Sequence, residues 1–316
     1  MYHVRMSHID RALRSNIKLR HLQLVVALDE FRHLGKTAEF LRVSQPAVSK
    51  MLSEVEEMMA LQLFDRSRRG TEPTMAGIAL VRFARSVLAG YEQTREEIRA
   101  YELGISGRTR VGVMVAAMPT VLAPAVEKLK QEAKEATVLI EEGDLTHLLP
   151  KLRLGELDLF VGRLEPGYAA PDLVTESLYD DSMVLVVRCG HDLAKKRQVS
   201  WDDVVKRRVV VPPPWASMRV KLEQQFFKHG LQPPVDVIET ASFLVQITFV
   251  QDQDAVALMA RSVAMHYEDK GLVSCLKIKL PVDVPPVGLI FMRGRPLTPI
   301  SQKLVETMRS IAACQG

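Results

Sequence analysis

The chain has 316 residues, 47% of them hydrophobic and 25% charged, which excludes a disordered or collagen-like chain and leads us to expect more than one domain. The longest uncharged stretch, residues 111–126, holds Pro119 and Pro124 and is too short to span a bilayer; no secretory signal is visible, and the scattered Cys189, Cys275 and Cys314 suit a reducing, cytoplasmic setting. The net charge is +4, and up to Met75 there are 12 Lys and Arg against 9 Asp and Glu, a surplus placed where a nucleic-acid surface would need it.

Residues 1–17 carry His3, Arg5, His8, Arg11 and Arg14 with no apolar pattern and read as an extension. Residues 18–59 read as helices: Leu19, Leu22 and Val26 recur at helical spacing, and so do Val48, Leu52, Val55 and Met59. Residues 61–74 break the pattern, with Gly70 and Pro73 bounding a short basic loop. A helix of about 30 residues follows, in which Gly77, Val81, Ala84, Leu88, Tyr91 and Ile98 form a near-heptad ladder. We expect this linker helix to pair with a second copy of itself, and residues 104–107 (Gly-Ile-Ser-Gly) to form a hinge out of it. Beyond them strands at 110–115, 137–141 and 157–162 alternate with helices at 120–134 and 145–154, the order of a parallel sheet with covering helices. Further strands are expected at 182–188, 208–211, 235–239 and 287–292, and helices at 219–229, 242–251 and 300–311.

The strongest signal lies in residues 36–50. Ala38 is small where two helices must cross closely, and Val43 is an apolar plug for the turn between them. Ser44 is a good N-cap, and Pro46 sits in the first turn, where a missing N–H costs little. With Val48, Leu52 and Val55 turned inward, Gln45, Pro46, Ser49, Lys50 and Ser53 form a polar stripe shaped for a major groove, and Lys36 lies on the helix before it. An ordinary helical hairpin with a polar face is the competing reading. The loop that follows adds Arg66, Arg68 and Arg69; a charge run is usually a solvated loop, but beside a helix-turn-helix it reads as a second DNA contact.

The segments Val43-Ser44-Gln45-Pro46-Ala47-Val48-Ser49, Leu63-Phe64-Asp65-Arg66 and Pro73-Thr74-Met75-Ala76-Gly77 resemble the LysR-type transcriptional regulators. Gly155-Glu156-Leu157-Asp158-Leu159, Gly190-His191-Asp192-Leu193-Ala194 and Gly294-Arg295-Pro296-Leu297 extend the likeness over the chain from Lys18 onward. The resemblance implies a winged helix-turn-helix at about 18–75, a dimerising linker helix at about 76–103, and a periplasmic-binding-protein-like effector domain at 104–316. That domain would comprise two α/β subdomains, about 108–183 with 287–316 and about 184–286, the chain crossing between them near 181–188 and 286–293. It further implies a homodimer, and commonly a tetramer, on an interrupted palindrome of double-stranded DNA. Three departures stand out: His33-Leu34-Gly35 where the family has Ser or Thr, Met75 where Glu is common, and Asp252-Gln253-Asp254 in place of a Gly-containing turn.

An effector would sit outside the carboxyl ends of the parallel strands. Met118 and Thr120 follow the first strand, Thr240 and Ser242 open a helix of the second subdomain, Arg163 lies just past the third strand, and Trp215 follows three prolines. Two helix N-termini, an Arg and an aromatic ring suit a small organic acid. In the competing reading Thr120 and Ser242 only cap helices, Arg163 pairs with Glu165, and Trp215 is packing. No phosphate loop, nucleophile elbow or dinucleotide fingerprint occurs, and no His pair stands at i, i+4. The pairs Glu141-Glu142, Asp180-Asp181 and Asp202-Asp203 read as solvated charges. No cofactor, metal or catalytic residue is therefore expected. The alternative is a cytoplasmic solute-binding or catalytic α/β protein whose N-terminal helices serve assembly.

Overall fold

The computed structural model describes residues 8–67, 70–103, 107–214 and 216–314. In chain order the elements are α1 (His8–Arg11), α2 (Leu19–Phe31), α3 (Leu34–Leu41), α4 (Gln45–Met59), β1 (Phe64–Ser67), β2 (Gly70–Pro73), α5 (Met75–Leu103), β3 (Arg108–Val113), α6 (Ala123–Glu132), β4 (Thr137–Glu142), α7 (Leu145–Leu154), β5 (Leu159–Arg163) and β6 (Leu173–Tyr179). They continue with β7 (Met183–Arg188), α8 (Trp201–Val205), β8 (Val209–Val211), α9 (Ser217–Lys228), β9 (Val237–Glu239), α10 (Phe243–Asp252), β10 (Val256–Ala260), α11 (Arg261–Asp269), β11 (Val273–Cys275), β12 (Val287–Met292) and α12 (Pro299–Ala313). Among the described residues no helix is long and apolar enough to cross a membrane. The chain divides into two compact units, Met1–Ile105 with Pro150–Leu157 and Ser106–Leu149 with Asp158–Gly316.

In the first unit α2, α3 and α4 close around Leu24, Val25, Leu28, Ala38, Val48, Leu52 and Val55. Ala38 lies at the crossing of α3 and α4, but Val43 is exposed and plugs nothing. The turn is held instead by the backbone, Arg42 taking a left-handed φ of 56° and the Val43 N–H donating to the Ala38 carbonyl. Ala12, in the extension, is fully buried in the same core. The basic loop is a two-stranded antiparallel wing, β1 pairing with β2 so that Phe64 faces Pro73. Its tip residues Arg68 and Arg69 lie outside the described residues.

The start of α5 explains the Pro73–Gly77 segment. Thr74 Oγ1 donates to the carbonyls of Gln62 and Leu63 and accepts from the Gly77 N–H at 3.1 Å, capping the helix. A Cβ on Gly77 would fall 2.0 Å from the Leu63 carbonyl oxygen, so only glycine lets the helix approach the strand so closely. Gly77→Ala is expected to cost the full-length chain about 1–3 kcal/mol, measured by urea denaturation followed by circular dichroism; an unchanged midpoint would refute the contact. The ladder along α5 divides: Gly77, Val81 and Ala84 are buried, Val81 joining the core that α2 builds, whereas Tyr91 and Ile98 are exposed. The first half of the expected pairing seam is thus used within the chain.

The second unit holds two five-stranded sheets. One runs in the order β4-β3-β5-β12-β6 and the other β11-β7-β10-β8-β9. Strands β3, β4 and β5 are mutually parallel, and so are β8, β9 and β10. The sheets are mixed rather than purely parallel, because β12 runs antiparallel to β5 and β6, and β7 antiparallel to β10 and β11. Central strands are buried throughout, as expected of strands covered on both faces: all five residues of β10 and all five of β5, the latter apolar except for its last residue, Arg163, are buried. Val111, Val161 and Leu289 pack under α6 and α12, while Leu185, Val209 and Phe226 form a second cluster with Trp201, whose ring meets Phe226 edge-on at 5.1 Å. The Gly155–Leu159 segment brings the buried Asp158 carboxylate to the Arg110 N–H, 2.7 Å away, which fixes the start of β5 against β3.

Candidate functional site

Two sites are built by these elements. The first is the outer face of α4. Ser44 is its N-cap, the hydroxyl accepting from the Ala47 N–H at 3.4 Å, with proline in the first turn. Val48, Leu52, Val55 and Met59 lie in the core, which fixes the rotation of the helix. Gln45, Pro46 and Lys50 are exposed, Ser49 and Ser53 half-buried, and Ser53 Oγ donates to the Ser49 carbonyl. Ser44 and Lys36 are exposed beside this stripe, as is Arg66 on the wing. The structure therefore gathers Ser44, Gln45, Pro46, Ser49, Lys50 and Ser53 onto one helix, with Lys36 and Arg66 on neighbouring elements, while Arg68 and Arg69 lie outside the described residues.

At the start of α3 the unusual His33 does the work of a Ser or Thr cap. Its Nδ1 accepts from the N–H groups of Gly35 (3.0 Å) and Lys36 (3.4 Å). His33→Ala is expected to lower stability by about 1 kcal/mol, and His33→Ser to restore most of it; a melting-temperature comparison in which serine fails to rescue would contradict the cap.

The second site is a cleft of about 370 Å³ in the second unit, at the carboxyl ends of the two parallel sets. Met114, Val115 and Ala116 follow β3, Asp144–Thr146 follow β4, and Arg163 and Glu165 end and follow β5. Facing them, Pro212 and Pro213 follow β8, Thr240–Phe243 follow β9, and Leu258–Ala260 close β10. Of the expected effector contacts, Arg163, Thr240 and Ser242 line this cleft, whereas Met118 and Thr120 do not. The helix expected from Thr120 begins in tighter and wider turns at Val115–Ala117 and Met118–Leu122, and Thr120 is hydrogen-bonded to Tyr179. Trp215 lies outside the described residues.

Arg163 pairs neither with solvent nor with Glu165. Its Nη2 lies 3.2 Å from Asp181 Oδ2 and its Nη1 donates to the Pro285 carbonyl at 3.0 Å. The side chains of Arg163 and Asp181 are 5% and 4% exposed, so Asp181 is a buried partner and not the solvated strand-end charge expected. Burial pulls the guanidinium below its ordinary pKa, with Asp181 opposing that pull. Asp181 also accepts from Ser262 N–H and Oγ, and Ser262 Oγ and the Tyr179 hydroxyl both donate to the Ala116 carbonyl. Burial pushes the Tyr179 phenol up to about 12, which keeps it a hydrogen-bond donor. This polar chain joins β5 and β6 of one sheet to the start of α11 behind the other. Sequence reasoning missed Asp181, Tyr179 and Ser262 because their partners lie far along the chain.

A family model described as the bacterial regulatory helix-turn-helix protein, lysR family, matches residues 19–78, and one described as the LysR substrate binding domain matches residues 103–313. The chain belongs to the LysR family. It is a DNA-binding transcriptional regulator with an effector-binding domain. Among curated relatives of this LysR-family chain, the HTH-type transcriptional regulator GbpR of Azospirillum brasilense is 31% identical over 305 residues, covering 94% of this chain and 87% of that one. The uncharacterized HTH-type transcriptional regulator YdcI of Escherichia coli is 32% identical over 238 residues, covering 75% and 77%. Among solved structures, CbnR, a LysR-family transcriptional regulator, shares the fold with a TM-score of 0.69 at 19% identity, over 94% of this chain and 99% of that one. Full-length CbnR complexed with its target DNA matches with the same TM-score, over 93% of this chain and 100% of that one.

The family setting makes sense of the altered turn at residues 252–254. Asp254 adopts φ 57°, a left-handed conformation in which glycine is the usual residue and Asp among the few tolerated alternatives. Its carboxylate lies 2.7 Å from the Arg188 guanidinium and 3.3 Å from Nε2 of the buried His191, which makes no hydrogen bond to it.

Proposed function

We propose that this regulator reads promoter DNA with the exposed stripe of α4. Gln45 and Ser49 face base edges in the major groove, Lys36, Lys50 and Arg66 hold phosphates, and Ser44 and Pro46 set the entry of the helix. Supporting this is one observation: a polar N-terminal face of α4 left open to solvent while its opposite face is locked into the core. Two chains would pair along the outer part of α5, where Tyr91 and Ile98 are exposed, and so offer two recognition helices to an interrupted palindrome. Pairs of such dimers would form a tetramer that bends the DNA. We assign the protein to the cytoplasm and give it no catalytic role.

In this reading a small molecule in the cleft shifts the regulator by binding one cleft geometry more tightly than another. An organic acid, the class suggested by sequence, finds its one described lining cation, Arg163, already neutralised by Asp181. The test is fluorescence anisotropy on labelled promoter fragments across a salt series. Affinity for a target fragment should fall steeply and linearly with log salt while exceeding that for random duplex; equal affinity for both would sink the proposal. Ile98→Glu should weaken self-association by about tenfold or more, as read by sedimentation; an unchanged dimer would move the pairing surface elsewhere.

A further inference from the structure

The charge of the cleft bears on the kind of molecule it takes, given the reading above that the cleft is the effector site. Arg163 is the sole Lys or Arg among the described lining residues, and its guanidinium is committed to Asp181 and the Pro285 carbonyl. Two carboxylates, Asp144 and Glu165, also line the cleft. The helix N-termini that would favour an anion are partly served by the chain's own side chains. At α7 the Asp144 carboxylate itself accepts from the His147 N–H (3.0 Å) and sits 2.8 Å from His147 Nδ1. Burial works against that charge, but the His147 hydrogen bonds win and hold the carboxyl below its usual range. At α10, Ser242 Oγ takes the Val245 N–H and Thr240 Oγ1 takes the Ser242 N–H. A carboxylate entering here would lose its hydration and meet like charge.

The remainder of the wall is apolar and adaptable. Met114, Met183, Met218 and Met259 line the cleft together with Phe243, and thioethers of this kind fit around aromatic and irregular apolar bodies. The polar edge offers both kinds of hydrogen-bond partner: the Thr240 and Ser242 hydroxyls, whose oxygens already accept N–H groups, each keep a proton to donate, and Gln246, whose Nε2 is spent on the Leu258 carbonyl at 2.7 Å, keeps its amide oxygen as an acceptor. We propose that the cleft takes an uncharged effector with an apolar body about the size of one substituted ring, carrying a hydroxyl toward Thr240, Ser242 and Gln246. A volume of about 370 Å³ accommodates such a molecule.

The test uses the full-length protein carrying ¹³C-methyl methionine, titrated with benzyl alcohol, benzoate and benzylamine, three probes of one shape and different charge. Benzyl alcohol should shift the methyl signals of Met114, Met183, Met218 and Met259, each assigned by Met→Ile substitution, with benzoate about tenfold weaker and benzylamine no tighter than the alcohol. Benzoate binding as tightly as the alcohol, or benzylamine binding more tightly than it, would overturn the proposal while leaving the cleft as the ligand site. No movement of those four methyls with any probe would overturn the cleft reading itself, and the proposal with it. Asp181→Asn frees the guanidinium and should raise benzoate affinity by about tenfold. Glu165→Gln, outside the buried pair, should narrow the preference by about threefold without risk to the fold. Benzoate affinity unchanged in both variants would refute the electrostatic basis.

Discussion

Asp181→Ala should destabilise the effector-binding unit by about 3–5 kcal/mol, the range for stranding one member of a buried ion pair. The loss has a specific origin. Arg163 is almost wholly enclosed, and removing Asp181 leaves its guanidinium with the Pro285 carbonyl and the Met183 sulfur, its ion-paired carboxylate gone. The Ser262 N–H loses its acceptor at the same time, and the Ser262 hydroxyl is left with the Ala116 carbonyl alone. Replacing both members by apolar residues of similar size, Arg163→Met with Asp181→Leu, should recover most of the loss, because a buried pair gains little over good packing. Of the two tryptophans of the chain, both in the sequence stretch 158–316, Trp201 is packed in the core of the second unit, so urea unfolding followed by tryptophan fluorescence reads this unit. A double variant as unstable as the single one would show that the site needs charge rather than filled volume. Because the pair joins the end of β5 to the segment between β6 and β7, and through Ser262 to α11, the double variant should also respond differently to effector.

On the DNA side, Gln45→Ala should cost about 1–3 kcal/mol in binding to the target sequence while hardly changing affinity for random duplex. Lys50→Ala and Arg66→Ala should behave in the opposite way. Each is expected to weaken all duplexes alike and to reduce the salt slope by about one counterion. The distinction follows from position: Gln45 stands exposed in the first turn of α4, while Lys50 and Arg66 extend flexible cations from the helix and the wing. Anisotropy titrations at several salt concentrations separate the two patterns. Loss of random-duplex binding on Gln45→Ala, with specificity intact, would reverse the assigned roles.

How much of this was legible in the sequence depends on whether a feature is local. The helix at Leu145–Leu154 and the strand at Val287–Met292 were read with their observed bounds, since turn residues and apolar periodicity mark both. The stripe on α4 was legible for the same reason, all its members lying within one helix. Strand β6 was not: Leu173–Tyr179 carries Thr, Glu and Ser between its apolar residues and owes its place to pairing with β12. Strand β10 reads Val-Ala-Leu-Met-Ala, a short apolar run that periodicity cannot tell from helix. Val43 looked like core and lies exposed, because the turn it occupies is held by the Ala38 carbonyl rather than by packing. Asp181 looked solvated beside Asp180, and the approach of Arg163 from β5 and of Ser262 from α11 makes its burial tolerable.

The central claim is that one exposed stripe reads base edges twice per symmetric pair of chains, and selection of bound duplexes from a random pool tests it most directly. The wild-type chain should enrich two inverted half-sites whose centres lie a whole number of helical turns apart, and Gln45→Ala should lose information at one matching position in each. Enrichment of a single unrepeated site, or a motif left unaltered by Gln45→Ala, would contradict it.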